Sequence, residues 1–261
     1  MFFSTIASSS SGNCTLVYEN NTYILVDAGI SMKRILAALA ERNIELSDVA
    51  AIFITHEHSD HISGLKMLLK YYDIPVMAPK GVACGVENCI CECCGKISEI
   101  PVGEEILIGD ITVKAFHTPH DTGESVGYKF TANGRSFAIA TDMGHISAEV
   151  LTELIGVNAC VIEANHDLTM LKTGPYPYHL KQRILSDRGH LSNKLCASLA
   201  GRLFETGTRK IVLGHLSKEN NTPDLALSSV TDKLAQCGAT VGKDIEVYIA
   251  PKNECGPVLE V

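Results

Sequence analysis

No stretch of this chain approaches the roughly 20 consecutive apolar residues that a membrane-spanning helix needs. Its first residues, Met1-Phe2-Phe3-Ser4-Thr5-Ile6, have neither the basic start nor the long apolar run of a signal peptide. A cytoplasmic protein with no membrane partner is the expectation. Positive charge is also scarce: 22 Lys and Arg stand against 30 Asp and Glu, for a net charge of −8. Such a surface does not coat nucleic acid by bulk electrostatics. It leaves nucleic acid open as a substrate, because divalent cations held in a cleft would make that cleft positive. No glycine-rich fingerprint follows the first strand, which removes a dinucleotide-binding fold. There is no linker and no internal repeat, so residues 1–261 are expected to form one domain, and a hydrophobic content of 46% supplies its core.

Cysteine, by contrast, is plentiful, at 10 residues. In a reducing compartment these are thiols or metal ligands rather than disulfides. Cys14, Cys160, Cys196 and Cys237 sit in apolar sequence that suits small core residues, and Cys255 stands alone. Cys84, Cys89, Cys91, Cys93 and Cys94 crowd one segment, residues 84–94. It reads as a local surface insertion or as a second metal or redox site.

The densest chemistry lies in Thr55-His56-Glu57-His58-Ser59-Asp60-His61. An apolar run, residues 49–54, precedes it, and a helical pattern carried by Ile62, Leu65, Leu68, Leu69 and Tyr72 follows. Three imidazoles and a carboxylate therefore sit in a turn from a buried strand into a helix. Neutral imidazole and carboxylate suit Zn²⁺, Mn²⁺ or Fe²⁺. Ser59 as a helix cap with Asp60 in the first turn would explain two of these residues, but not the histidines. Asp60 and His61 are adjacent and point differently from His56 and His58. Two metals follow, one on His56 and His58 and the other on Asp60 and His61.

Elsewhere, residues 2–7, 15–18 and 23–26 read as strands, the last two joined by an Asn20-Asn21 turn. The polar loop 8–13 is either a connection or an oxyanion or phosphate contact through its backbone N–H groups. Ser31 looks like the cap of a helix reaching about Arg42. Further strands are expected at 75–78, 111–118, 126–131, 136–140, 160–163, 210–213 and 245–250, with Asn133-Gly134 a hairpin signal. Helical pattern covers 148–155, much of 166–204, and 223–236, where Thr222 caps and Pro223 opens the last helix. Hairpins followed by strand–helix units occur twice. Two sheets packed face to face with helices outside, an α/β sandwich, fit this better than one doubly wound sheet. His120, Asp142 and His215 each stand at a strand end, where a rigid scaffold can aim side chains into one cleft. Periodicity does not choose between His117 and His120.

The run His56-x-His58-x-Asp60-His61 resembles the signature of the metallo-β-lactamase-fold hydrolases. That resemblance implies a four-layer αββα fold and a set of later ligands in the order His, bridging Asp, His. Matched motif by motif, these are His120, Asp142 and His215, with Asp121 after His120 supplying the family's His-Asp pair. One metal would then take His56, His58 and His120, the other Asp60, His61 and His215, with Asp142 between them. Longer stretches, among them Glu163-Ala164-Asn165-His166-Asp167, Gly189-His190-Leu191-Ser192-Asn193 and residues 214–221, are similar to the YycJ/WalJ (VicX) branch of that family. The cysteine segment departs from it. The branch implies hydrolysis of phosphodiesters, with members acting as 5′-to-3′ exonucleases on DNA. Water activated between two divalent ions would attack, Asp60 would orient it, and His190 or His166 would serve the leaving group. A small cyclic phosphodiester, or a lactone or thioester, is the alternative substrate for the same site.

Overall fold

Asn20 and Asn133 take the left-handed backbone conformation, with φ of 49° and 51°, and so close the two hairpins that their sequence signals mark. Around these hairpins a computed structural model, covering residues 1–261, builds two sheets. The first half runs β1 (Phe2–Ala7), β2 (Cys14–Glu19), β3 (Thr22–Val26), α1 (Met32–Ala40), β4 (Val49–Phe53), α2 (Ser59–Ile62), α3 (Leu65–Tyr71), β5 (Val76–Ala78), α4 (Lys80–Cys89) and β6 (Ile97–Glu99). The second half runs β7 (Glu105–Ile108), β8 (Ile111–His117), β9 (Val126–Ala132), β10 (Arg135–Ala140), α5 (Ala148–Leu154), β11 (Ala159–Glu163), α6 (Leu168–Thr173), α7 (Tyr178–Ile184), α8 (Asn193–Glu205), β12 (Lys210–Gly214), α9 (Pro223–Gln236) and β13 (Glu246–Ile249). A short β14 (Leu259–Glu260) closes the chain.

The two sheets have the same plan. One has the order β14-β1-β2-β3-β4-β5-β6, the other β13-β12-β11-β10-β9-β8-β7. In each, three antiparallel pairings are followed by three parallel ones, the change falling at β3–β4 and at β10–β11. Apolar side chains between the sheets make the main core. Phe3 stacks on Phe137 across it at 4.1 Å, and Phe53 meets Tyr128 edge-on at 5.2 Å. Burying each such ring contributes about 1.5–3 kcal/mol. Tyr128 is fully buried and its hydroxyl donates to the Ile54 carbonyl at 2.6 Å, which pins the start of the histidine-rich turn to the opposite sheet. A second core under α5, α8 and α9 covers the other face of the second sheet. The expected αββα sandwich is what the chain forms.

Ser31 and Thr222 cap α1 and α9 through their hydroxyls, as expected. Five features differ from the sequence reading. The helix expected over 62–72 is split into α2 and α3 at Ser63-Gly64, because Gly64 packs against the loop after β3 and its N–H donates to the Ala28 carbonyl at 2.8 Å. Residue 58, not Ser59, precedes the first helical turn, and no side chain caps it. The cysteine segment is largely helical: α4 buries Val82, Ala83 and Val86, a short 3₁₀ turn follows, and only Cys93 of the five cysteines is buried. Cys237 is half-buried rather than a core residue. The edge strands β6, β7 and β14 are too short to carry a period of their own and were not expected.

Gly29 shows how tightly the first sheet holds the turn at residues 56–61. A Cβ there would lie 1.6 Å from the Asp60 carbonyl oxygen, and the Gly29 N–H donates to Asn13 at 2.8 Å. Overpacking of this kind costs about 1–3 kcal/mol. Gly29→Ala should lower the melting temperature by roughly 2–12 °C; an unchanged thermal melt would show that the turn is not clamped there.

Candidate metal centre

Three residues that end strands adopt left-handed backbone without being glycine: Asp27 (φ 62°), Asp142 (φ 56°) and His215 (φ 55°). Asp and His are among the types that tolerate this region best, yet such strain still costs on the order of 1 kcal/mol and persists only where neighbours enforce it. Asp27 N–H donates to Phe53 O at 2.8 Å, and His215 N–H to Ser8 Oγ at 2.9 Å. Each strained turn aims its side chain into or behind one cleft at the strand ends.

His56 Nε2, His58 Nδ1 and His120 Nε2 converge there. His58 Nδ1 lies 3.1 Å from His56 Nε2 and 3.3 Å from His120 Nε2. His61, His215 and Asp60 make a second group, with Asp60 Oδ2 3.5 Å from His61 Nε2 and 3.3 Å from His215 Nε2. Asp142 stands between the groups: Oδ2 is 3.3 Å from His61 Nε2, while Oδ1 is 3.4 Å from His215 Nδ1 and 3.8 Å from His120 Nε2. All seven residues expected as ligands therefore meet in one cluster. His117, the competitor of His120, turns outward to Glu124 and Glu149 at 3.2 Å each. His145 binds the Asp187 carbonyl, and His179 is exposed.

The cluster fits divalent cations. Asp142 Oδ2 is buried with no hydrogen-bond partner. One proton can join only two of the three nitrogens at His56, His58 and His120, so the third brings a lone pair to the same point, as a cation requires. The remaining ring nitrogens are held from behind. His61 Nδ1 is 2.7 Å from Asp27 Oδ2, His56 Nδ1 is 3.0 Å from Thr55 Oγ1, and His120 Nδ1 is 3.2 Å from the Gly189 carbonyl. Thr55 is itself held by Asp27 through backbone and hydroxyl. Such contacts fix tautomer and orientation.

Glu163 does the same from the second sheet. This fully buried carboxylate takes His215 Nδ1 at 2.9 Å and His190 Nδ1 at 2.8 Å on Oε1, and accepts Met143 and Leu191 N–H on Oε2 at 3.0 Å each. Burial raises its pKa, but His190 and the two imidazole hydrogen bonds outweigh that and hold it at about 2. Burial likewise opposes protonation of His215, yet Asp142, Asp60 and Glu163 push it up to about 10. His61 is held well above its ordinary value against burial, chiefly by Asp27 and then Asp142. Asp60 stays at about 2 despite burial, because of His61 and His215. His56, with no carboxylate behind it, falls well below the usual range through burial and then the charge of His61. The cluster is a field that holds positive charge, and metal binding competes with protons in such a field.

The two histidines expected to serve the leaving group are placed differently. His190 belongs to the cluster, with Nδ1 on Glu163 and 3.7 Å from Asp142 Oδ1, and it keeps partial exposure with Nε2 free of protein partners. Burial works against its proton, but Glu163 raises its pKa above the ordinary value. His166 is buried, both ring nitrogens lack partners, and burial lowers it to about 4. Its ring makes no hydrogen bond with any of the seven ligand candidates.

Sequence reasoning did not single out Asp27, Glu163 or Thr55 as functional, and reached Asn13 only as part of the polar loop 8–13. Asn13 Nδ2 reaches His61 Nε2 at 3.0 Å and Asp60 Oδ2 at 3.3 Å. The available signal was an acid closing an otherwise apolar strand, at Asp27 after β3 and at Glu163 in β11.

A family model described as a β-lactamase superfamily domain matches residues 22–216, and the chain belongs to the metallo-β-lactamase superfamily. More narrowly, it is 39% identical to Exodeoxyribonuclease WalJ of Streptococcus pneumoniae serotype 2, covering 99% of this chain and 97% of that one. It is 39% identical to Exodeoxyribonuclease YycJ of Bacillus anthracis, covering 95% and 94% respectively. This places it in the YycJ/WalJ branch. Among solved structures, YhfI of Bacillus subtilis, a metallo-β-lactamase fold protein, has a TM-score of 0.75 at 15% identity over 99% of this chain and 98% of that one. Zn²⁺-bound PqqB of Methylobacterium extorquens also scores 0.75, at 17% identity over 100% of both. These likenesses show the fold.

Truncating Glu163 strands two imidazoles and two buried N–H groups at once, a loss typically of about 3–5 kcal/mol. Glu163→Ala should cost about that in urea unfolding, and Glu163→Gln clearly less, since the amide oxygen still accepts. Equal, small losses in both variants would remove Glu163 as the support of the second sheet's candidate ligands.

Proposed function

We propose that this chain is a metal-dependent phosphodiesterase that removes nucleotides from the 5′ end of DNA. Its full-length likeness to exodeoxyribonucleases supports the reading, and one observation carries it: two groups of nitrogen and carboxylate donors meet at the buried carboxylate of Asp142, Oδ1 near His120 and His215 and Oδ2 near His61. His56, His58 and His120 would hold one divalent ion, Asp60, His61 and His215 a second, and Asp142 would bridge them. Zn²⁺ and Mn²⁺ suit these donors, and Fe²⁺ does also. Paired ions supply a water nucleophile at neutral pH and neutralise charge on the phosphoryl oxygens.

The chain's own groups do the rest. Asp27, Thr55, Gly189 and Glu163 hold the imidazoles so that their free nitrogens face the cleft. Asp60, with Oδ2 between His61 and His215, orients the attacking water. His190 holds a proton through the Glu163 contact and presents Nε2 to the cleft, so it protonates the leaving oxygen. His166, neutral and enclosed, keeps the turn between β11 and α6 in place: its backbone carbonyl accepts the Asn193 N–H at 2.8 Å. A cytoplasmic location fits this role, and no helix is long and apolar enough to cross a membrane.

Mn²⁺-loaded protein should release nucleotides from 5′-phosphorylated DNA and cleave a chromogenic phosphodiester. Asp142→Ala should abolish both and lower bound metal per chain; full activity in that variant would sink the bridged model. His190→Ala should lower turnover by roughly 10²–10⁴-fold with metal content unchanged, and His166→Ala much less. The opposite ranking would move the proton-donor role to His166.

A further inference from the structure

The polar loop 8–13 has no part yet in binding, although it encircles one end of the cluster. Ser8 Oγ accepts the His215 N–H at 2.9 Å, Asn13 reaches His61 and Asp60, and Ser9 bridges to Leu216, the residue after His215. The tip of this loop, Ser10 and Ser11, lines a pocket of about 200 Å³ together with Tyr176, Leu216, Lys218, Glu219 and Lys252. Through Leu216 the pocket adjoins the His215 side of the cluster.

Two lysines against one carboxylate give the pocket a local positive excess in a protein whose net charge is −8. Lys252 is half-buried, and its ammonium has no carboxylate within ion-pair distance. Lys218 has only the exposed Glu219 beside it, at 3.9 Å, a contact worth little in water. The Ser10 N–H and hydroxyl and the Tyr176 hydroxyl make no hydrogen bond within the protein. Two ammonium groups and several uncommitted donors thus face one small volume. That combination suits a compact oxyanion with several acceptor oxygens, and a phosphate is the oxyanion a nucleic-acid strand brings.

We propose that this pocket binds a phosphate of the DNA strand beside the one being hydrolysed, and so sets the strand's register at the metal centre. The assignment rests on the phosphodiesterase reading. Either the 5′-terminal phosphate or an internal backbone phosphate could fill the pocket, and the two share the chemistry that recognises them.

The test measures binding of a fluorescent phosphorothioate oligonucleotide by anisotropy at several salt concentrations, beside turnover of a chromogenic phosphodiester too small to reach the pocket. Lys218→Gln/Lys252→Gln should weaken oligonucleotide binding at least about tenfold. It should flatten the plot of log K against log salt by roughly 0.7–0.9 for each phosphate no longer neutralised, with small-diester turnover within about twofold of the parent. Lys243→Gln, an equal loss per charge at an exposed lysine elsewhere, should leave the slope unchanged. Tyr176→Phe should weaken binding without altering the slope. If the effect of the lysine pair is confined to 5′-phosphorylated oligonucleotides, the terminal phosphate is the ligand; if 5′-hydroxyl strands lose as much, it is an internal one. Unchanged binding and slope in the double variant, or an equal flattening by Lys243→Gln, overturns the proposal. Small-diester turnover without any oligonucleotide binding by the parent overturns it too and leaves the phosphodiesterase standing. Absence of both activities removes the phosphodiesterase reading itself.

Discussion

One imidazole touches three carboxylates. His215 Nδ1 lies 2.9 Å from Glu163 and 3.4 Å from Asp142, and its Nε2 lies 3.3 Å from Asp60. Asp27 brings a fourth buried acid behind His61. Two like charges about 4 Å apart repel by about 4 kcal/mol at an effective dielectric of 20, so these acids can share a cleft only if positive charge lies among them. Protons on His61 and His215 satisfy that condition, and so do divalent cations. The constraint explains why imidazole and carboxylate alternate around the centre, and why removing either kind alone leaves the other uncompensated. It also orders the cluster by depth: Asp27 and Glu163 lie behind the rings, while Asp60 and Asp142 face the cleft.

The repeated plan of the two sheets gives that arrangement its geometry. β3 and β10 hold equivalent places, each at the change from antiparallel to parallel pairing. Asp27 follows the first and Asp142 the second, both in left-handed conformation. Equivalent positions have taken different roles, since Asp27 supports a ring from behind and Asp142 stands between the two donor groups. β4 and β11 are likewise equivalent, the first leading to His56 and the second ending in Glu163. The centre is therefore assembled at the line where two similar halves meet, and Tyr128, bonded to Ile54 across that line, ties the halves where their alignment matters most.

Much of this was legible in the sequence, for identifiable reasons. Long strands with apolar runs and the two Asn turns mark both sheets, and dense His-x-His spacing marks the centre. His120, Asp142 and His215 stood out because strand ends point to a cleft. What escaped is what local pattern does not encode. The short edge strands β6, β7 and β14 exist through their partners, and the break at Gly64 comes from a contact with Ala28, distant in sequence. The helix through the cysteine segment shows Val82 and Val86 outweighing the local impression that Cys84 to Cys94 made. Glu163 and Asp27 look like ordinary strand ends until the fold puts rings against them. Choosing His120 over His117 from spacing alone was not feasible, because only the fold turns His117 toward Glu149 on α5.

An acidic protein that takes an acidic polymer must confine its attraction to a few places. Cations at the cluster offset carboxylates already there, so their excess positive charge is small and short-ranged, screened beyond about 10 Å at ordinary ionic strength. Such a centre can hold one phosphate but does little to draw or align a strand. Uncompensated lysines beside it can, and Lys252 has no carboxylate within ion-pair distance. On the opposite flank the arginines are spoken for: Arg183 pairs with Asp121, and Arg188 donates to the His120 and Thr122 carbonyls. The imbalance between the two flanks gives the cleft a direction, with strand contacts on the side of loop 8–13 and structural contacts on the side of His120. Direction is what an enzyme working from a strand end requires, and here a few unpaired charges supply it without altering the net charge of the protein.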